Sequence, residues 1–150
     1  MEIKELRDCP EFKDTVVEWI NREFGDENTI QFYRSIIEHS MVKDKLPLTF
    51  VAVDNGKLLG TAGIWRGDLL SRQDLYPWFS ALVVNPEYRN GGIGIKIQNH
   101  ILEYCKAKGF KEIYLYTDLV GYYEKNDWSK FDTGYEYTTG EGISIYMHNL

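Results

Sequence analysis

A glycine-rich segment in the middle of the chain has the composition of an anion-binding loop. It reads Asn85-Pro86-Glu87-Tyr88-Arg89-Asn90-Gly91-Gly92-Ile93-Gly94. The first turn of a helix leaves backbone N–H groups without partners, and the helix dipole favours negative charge there. Glycines let the backbone approach a phosphate closely, and Arg89 adds a positive charge beside the turn. The segment therefore predicts a phosphate site, with an ordinary tight turn as the open alternative.

Two common nucleotide-binding motifs are absent from this segment. A dinucleotide fingerprint would need the spacing G-x-G-x-x-G, and a Walker loop would need Gly-Lys followed by Ser or Thr. Neither pattern occurs at residues 85–94. Turn chemistry alone leaves phosphate binding and a plain turn about equally open.

The elements around the segment are those that would position it. Residues 78–84 are nearly all apolar, which indicates a central strand buried on both faces. Residues 94–108 form a helical pattern that ends at Gly109, and residues 112–116 form the next strand. The apolar stripe of that helix consists of Ile93, Ile97, Ile101, Tyr104 and Cys105. Strand, helix and strand make one βαβ unit, so the two strands should be parallel.

The remaining elements complete a mixed α/β domain that spans residues 1–150. An edge-like strand is expected at residues 2–8, and Asp8 and Pro10 open a helix that ends at Gly25. A second helix should carry Phe32, Ile36, Ile37 and Met41 on one side. Asn55-Gly56 predicts a hairpin between strands 48–53 and 58–65. Residues 67–77 form a polar loop, a short helix is expected at 119–126, and 128–150 should contain two strands.

The composition limits the class of partner and the compartment. The net charge is −6 and the sequence pI is about 5.1, which argues against nucleic acid because phosphate contacts need clustered Lys and Arg. Cys9 and Cys105 lie far apart and have no metal-ligand spacing, so we expect two reduced thiols and no metal site. Neither a signal peptide nor an apolar run long enough to cross a bilayer is readable. The chain is predicted to be cytoplasmic, without a membrane partner.

At this point the motifs resemble those of a known family. Arg89-Asn90-Gly91-Gly92-Ile93-Gly94 is similar to the R/Q-x-x-G-x-G/A motif of the GNAT superfamily of N-acetyltransferases. Leu82-Val83-Val84-Asn85-Pro86 resembles the strand that precedes this motif, and Tyr123-Glu124-Lys125-Asn126-Asp127-Trp128 resembles the family's Y-x-K-x-G-F/W segment. The resemblance covers the chain from about residue 47 to its end.

The resemblance implies a coenzyme A site. Backbone N–H groups of residues 90–94 would hold the pyrophosphate, and the fourth and fifth of about seven strands would splay apart to admit the pantetheine arm. The residues that would contact the cofactor are Leu82, Val83, Val84, Arg89, Asn90, Gly91, Gly92, Ile93, Gly94 and Asp118. Two departures from the family pattern occur: Asp127 replaces the usual Gly, and the spacing around Asp118 is short.

The same resemblance implies a mechanism for moving an acetyl group from acetyl-CoA to a primary amine. Tyr123 would protonate the departing thiolate, and a backbone N–H near Val83 would stabilise the oxyanion. The sequence offers neither a Ser-His-Asp nor a Cys-His arrangement, which favours direct attack of the amine over an acyl-enzyme. We therefore predict an acyl-CoA-dependent N-acetyltransferase, with a non-catalytic coenzyme A sensor or scaffold as the alternative.

The proton acceptor and the acetyl acceptor stay open in the sequence. Asp68, Asp74 and Glu87 are the acidic residues in or near the expected site, and each is more simply a solvated loop charge than a general base. A chain of waters is another route for the proton. Loop 67–78 is expected to shape the pocket for a small-molecule or peptide amine, and a homodimer is expected only by analogy with the family.

Overall fold

A computed structural model describes residues 1–150, which form seven strands and three α-helices. The strands are β1 (Glu2–Glu5), β2 (Leu48–Asp54), β3 (Lys57–Trp65), β4 (Trp78–Val84), β5 (Glu112–Thr117), β6 (Ser129–Tyr135) and β7 (Gly142–Asn149). The helices are α1 (Lys13–Phe24), α2 (Ile30–His39) and α3 (Ile93–Ala107). No helix is long and apolar enough to cross a membrane.

The strands form one mixed sheet in the order β1-β2-β3-β4-β5-β7-β6. The pairs β1–β2, β2–β3, β5–β7 and β6–β7 are antiparallel, and β4–β5 is parallel. The parallel ladder contains a single register pair, Trp78 with Tyr114. So short a ladder is what the predicted splay of the fourth and fifth strands requires.

Internal packing divides the chain into two compact units. The first consists of Met1–Ile64 with Ala81–Ile101, and the second of Trp65–Ser80 with Leu102–Leu150. The single domain expected from the sequence stays a prediction, which one cooperative unfolding transition for both units would support.

The core of the first unit joins the N-terminal helices to the sheet. Helix α1 buries Val16, Val17 and Ile20 on one stripe, and they pack in a cluster that includes Ile37 of α2 and Val83 of β4. Helix α3 also lies close to the sheet at Gly60, where an added Cβ would come within 2.9 Å of the Ile97 side chain. That glycine therefore sets how closely α3, and the loop at its start, approaches β3.

The core of the second unit is rich in aromatic side chains. Trp78 and Trp128 are almost fully buried, and Trp128 contacts Phe79 with ring centroids 6.1 Å apart. The loop between β3 and β4 packs on β6 at Gly134, where an added Cβ would collide with Leu69. The absence of a side chain at Gly134 thus lets the loop lie against the strand.

Three details differ from the expectations above. No α-helix forms at residues 119–126: only one 3-10 turn, Glu124–Asn126, is present, because the backbone turns at Gly121 with a positive φ of +86°. The first strand ends at Glu5, since Leu6–Asp8 form another 3-10 turn. The expected apolar stripe of α2 was wrong at Phe32, whose side chain is 59% exposed, and at Met41, which lies beyond the end of the helix at His39.

Candidate active site

The glycine segment forms a turn that leads directly into α3. The carbonyl of Gly92 accepts a hydrogen bond from the Lys96 N–H at 3.1 Å, so Gly92 is the N-cap of the helix. Asn90 and Gly92 have φ values of +66° and +79°, in the left-handed region that glycine and asparagine tolerate best. The N–H groups that follow Gly92 belong to the first helical turn and lack intrahelical partners.

Open space lies in front of this turn. A Cβ built on Gly92 meets no heavy atom within 4 Å, and Asn90, Gly91 and Gly92 are all exposed. Ile93 is buried and lies near Gly60, so the helix behind the turn is fixed by the core. A helix start that is held by the core and preceded by exposed residues is the geometry that a phosphate needs.

The strand that leads into the turn is held by its own hydrogen bonds. The Asn85 N–H donates to the Leu59 carbonyl at 2.8 Å, and the Asn85 side chain accepts from the Glu87 N–H at 3.1 Å. The guanidinium of Arg89 is half-exposed, and its Nε donates to the Val84 carbonyl at 3.2 Å. Arg89 thereby stays beside the turn, and its Nη2 also lies 3.9 Å from a carboxylate oxygen of Glu23.

Strand β4 contains an irregularity that the sequence did not reveal. Ala81 has a φ of +56°, a conformation that costs an L-residue about 1–2 kcal/mol. Trp78, Phe79 and Ser80 before it are all buried, whereas Ala81, Leu82 and Val84 are partly exposed and only Val83 joins the core. A left-handed residue in mid-strand interrupts both the ladder and the side-chain alternation, which frees backbone groups for a ligand.

Tyr123 is the candidate acid, and it is buried in the second unit with 9% of its surface exposed. Its ring lies edge-on to Trp128 at 6.0 Å between centroids and also contacts Tyr146 of β7. Burial, and to a smaller extent Tyr122, raise the pKa of Tyr123 to about 12. The phenol is therefore protonated throughout the physiological range, as a proton donor must be.

The neighbouring Tyr122 differs from Tyr123 in its environment. Its side chain is 38% exposed, and its ring stands at 90° to that of Tyr123. The turn that holds both residues is tied to β7 by a hydrogen bond from the Tyr146 hydroxyl to Glu124, which also lowers the Glu124 pKa. Tyr123, the residue expected to be the acid, is the buried one of the two tyrosines, and its role as acid stays a prediction.

Asp127 closes the same turn in the conformation that glycine would adopt. Its φ and ψ are 67° and 16°, and the Trp128 N–H donates to the Tyr123 carbonyl at 3.3 Å. The substitution of Asp for the family's Gly thus keeps the turn and adds backbone strain. Asp118 lies exposed in a bend after β5, without the helix that was expected to follow it.

We expect Asp127→Gly to stabilise the protein by about 0.5–1 kcal/mol, because glycine adopts this conformation without strain while losing more entropy on folding. Asp127→Asn should gain less, since asparagine keeps a Cβ. Urea unfolding measures both variants. A glycine variant that is less stable than the wild type would contradict the strain at this position.

The three acidic residues considered as bases have different environments. Asp74 is bound by Arg72 through two contacts of 2.9 Å, which holds the Asp74 pKa below its usual range. Glu87 is exposed in a 3-10 turn. Asp68 is only partly exposed, and burial raises its pKa to about 6. The expectation of a solvated loop charge was therefore wrong for Asp68.

No group of three or more potential metal-binding side chains occurs in residues 1–150.

Comparison with known proteins identifies the class of this chain. The model of the acetyltransferase (GNAT) family matches residues 13–128. The chain therefore belongs to the acetyltransferase (GNAT) family, which is the family and enzyme class predicted from its motifs.

Individual relatives agree with this assignment. N-alpha-acetyltransferase 30 of Schizosaccharomyces pombe is 30% identical over 94 residues, which cover 59% of this chain and 62% of that relative. An aminoglycoside 6'-N-acetyltransferase complexed with coenzyme A has a TM-score of 0.76 at 17% sequence identity. The match covers 99% of this chain and 97% of the aminoglycoside acetyltransferase chain. The aminoglycoside 6'-N-acetyltransferase from Enterococcus faecium has a TM-score of 0.76 at 18% sequence identity, and the match covers 99% of this chain and 97% of that one. These structures confirm the fold class.

Proposed function

We propose that this protein transfers an acetyl group from acetyl-CoA to a primary amine by direct attack. The observation that carries this proposal is the turn at Asn90 and Gly92, whose left-handed residues face open space at the start of α3. Family membership supplies the class of reaction, and the turn supplies a place for a diphosphate.

In this proposal the backbone of residues 90–94 binds the pyrophosphate of coenzyme A. Arg89 lies beside that turn and adds charge, while Leu82 and Val84 offer backbone groups to the pantetheine arm. The left-handed Ala81 supports this role, because strand residues that follow a break in the ladder have backbone groups free for a ligand. A contact from Asp118 belongs to the same proposal.

The chemistry of the transfer assigns two further roles. The oxyanion formed by amine attack is stabilised by a backbone N–H near Val83, which is fixed by the core of the first unit. The departing thiolate takes a proton from Tyr123, whose side chain is buried. An amine acceptor is supported by the names of two relatives, an aminoglycoside 6'-N-acetyltransferase and an N-alpha-acetyltransferase.

A thiol-release assay tests the proposed function directly. The full chain is incubated with acetyl-CoA and a panel that includes kanamycin and a peptide with a free α-amino group. We expect amine-dependent release of coenzyme A, with the acetylated amine identified by mass spectrometry. Tight binding of coenzyme A without transfer to any amine would instead favour the sensor or scaffold alternative. Cell fractionation and sedimentation test the cytoplasmic location and the homodimer.

A further inference from the structure

Glu23 joins helix α1 to the glycine turn through an ion pair. Its carboxylate oxygen Oε2 lies 3.9 Å from Nη2 of Arg89, the cation beside that turn. Both residues belong to the first compact unit, as do the turn itself and residues 81–84 of the strand that leads into it. An acidic side chain is thus in contact with a residue that we assign to phosphate binding.

Two other ion pairs of α1 connect it to a different part of the molecule. Lys13 binds Glu38 at 3.7 Å, and Arg34 binds Asp14 at 3.0 Å. Both partners lie on α2, so these pairs join two neighbouring helices. Glu23 instead reaches from α1 to the segment between β4 and α3. The ion pair of Glu23 therefore connects the N-terminal helices to the candidate cofactor site.

The position of Glu23 is unfavourable for its own helix. Helix α1 ends at Phe24, so Glu23 lies in its last turn. The carboxyl end of a helix carries partial negative charge, which disfavours a carboxylate there and favours a cation. The favourable partner of the Glu23 carboxylate is Arg89 on the neighbouring segment. We infer from this that the acidic group serves the turn rather than the helix.

The end of α1 is held in place by hydrogen bonds to the start of α2. The Thr29 hydroxyl donates to the Asn21 side chain at 2.6 Å, and the Tyr33 hydroxyl donates to the Phe24 carbonyl at 3.3 Å. The Glu23 side chain itself is 48% exposed, so it can turn into water without moving this backbone. The carboxylate can therefore leave Arg89 when a stronger anion arrives.

Arg89 does not need Glu23 to stay beside the turn. Its Nε donates to the Val84 carbonyl at 3.2 Å, which fixes one edge of the guanidinium. The Nη2 that faces Glu23 carries two further N–H donors. A diphosphate forms charge-assisted hydrogen bonds with such donors, and so does a carboxylate. Glu23 and a diphosphate at the turn would therefore seek the same donors.

We propose that Glu23 competes with the diphosphate of coenzyme A for Arg89 and thereby lowers the affinity of the turn for the cofactor. This inference rests on the pyrophosphate site of the proposed function and adds a residue outside the glycine segment that limits the affinity. In the free protein the carboxylate neutralises Arg89. When the diphosphate binds, Glu23 gives up the guanidinium and returns to water, and the cost of that exchange is subtracted from the binding free energy.

A limit on this affinity suits a protein that must also release coenzyme A. The diphosphate is the same chemical group in acetyl-CoA and in the product, so contacts with it hold both molecules equally. Binding energy that is equal in all states does not accelerate the chemical step, and product release limits the turnover of many enzymes. A carboxylate that returns to Arg89 as the diphosphate leaves therefore favours turnover.

Calorimetric titration of the full chain with coenzyme A tests the competition. We expect Glu23→Gln to lower the Kd by about two- to fivefold, which is the range that an exposed ion pair supplies. Glu18→Gln is the matched control, because it removes the same charge from an exposed position of the same helix. Its Kd should stay close to that of the wild type. Thermal unfolding of each variant checks that the fold is retained.

Two further measurements separate competition for Arg89 from a general effect of charge. In an Arg89→Gln background, Glu23→Gln should leave the Kd nearly unchanged, because the shared partner is already absent. In about 1 M salt, where the Debye length is only about 3 Å, the ratio of the wild-type and Glu23→Gln Kd values should fall toward one. A merely structural role of Glu23 would produce neither result.

The outcomes distinguish this inference from the proposed function. If the wild type binds coenzyme A and Glu23→Gln binds it equally or more weakly, Glu23 is not a competitor, and the proposal fails while the cofactor site stands. A gain in affinity that persists with Arg89→Gln, or that Glu18→Gln reproduces, also overturns the proposal, since it reports general repulsion. A wild type that does not bind coenzyme A rejects the proposed function and this inference together.

Discussion

Gly92→Val is expected to weaken coenzyme A binding by about 100-fold. A valine side chain would occupy the open space in front of the turn, and a β-branched residue disfavours the φ of +79° found there. Losing two charge-assisted hydrogen bonds from backbone N–H groups to phosphate, at about 1.5 kcal/mol each, amounts to about two decades in Kd. Calorimetric titration with coenzyme A measures the effect.

Gly56→Val provides a matched control for the backbone effect. Gly56 lies in the β2–β3 hairpin with a φ of +76°, and an added Cβ there also meets nothing within 4 Å. Both variants should lose about 1–2 kcal/mol of unfolding free energy through backbone strain. Only Gly92→Val should lose affinity for coenzyme A. Equal affinity in the two variants would contradict the placement of the pyrophosphate at this turn.

The elements that a local pattern specifies could be predicted from the sequence. The apolar run of β4 was predicted at Trp78–Val84, and the Asn55-Gly56 hairpin joins the two strands that were expected. The glycine turn was also located, because positive φ values and helix starts depend on residues adjacent in the chain.

The features that depend on distant contacts could not be predicted in this way. Nothing in the sequence indicates that Ala81 adopts a positive φ, since alanine has no preference for that region. The environment of Asp68 depends on Ser80 and on the anchoring of its loop at Gly134, more than 60 residues away in the chain. A loop carboxylate is normally solvated, so the sequence favoured the wrong environment.

The expected helix at residues 119–126 illustrates a related error. Tyr122, Tyr123 and Glu124 fit a helical pattern, but Gly121 turns the chain and Asp127 ends the single 3-10 turn in the left-handed region. Tyr123 is therefore held by the contacts of its ring with Trp128 and Tyr146 rather than by a helix. The role proposed for Tyr123 therefore depends on its burial, and it can be tested against the more exposed Tyr122.

Tyr123→Phe is expected to lower kcat by about 10²- to 10³-fold while the affinity for coenzyme A changes little. The variant keeps the ring that packs on Trp128 and removes only the hydroxyl, so the thiolate must leave unprotonated or take its proton from water. Because the pKa of Tyr123 is about 12, loss of its proton should cause no decline in the wild-type rate below about pH 10.

Tyr122→Phe is the control that separates this effect from a general loss of a tyrosine. The Tyr122 side chain is 38% exposed and its ring contacts Tyr123 at 4.8 Å between centroids, so both variants disturb the same turn. We expect Tyr122→Phe to retain kcat within about twofold, since a surface substitution of this size rarely changes more than 0.5 kcal/mol. Steady-state kinetics with the best acceptor, together with thermal unfolding of each variant, make the comparison. If Tyr123→Phe turns over as fast as Tyr122→Phe, the thiolate is protonated by another group, and the buried phenol serves only to pack the turn against Trp128.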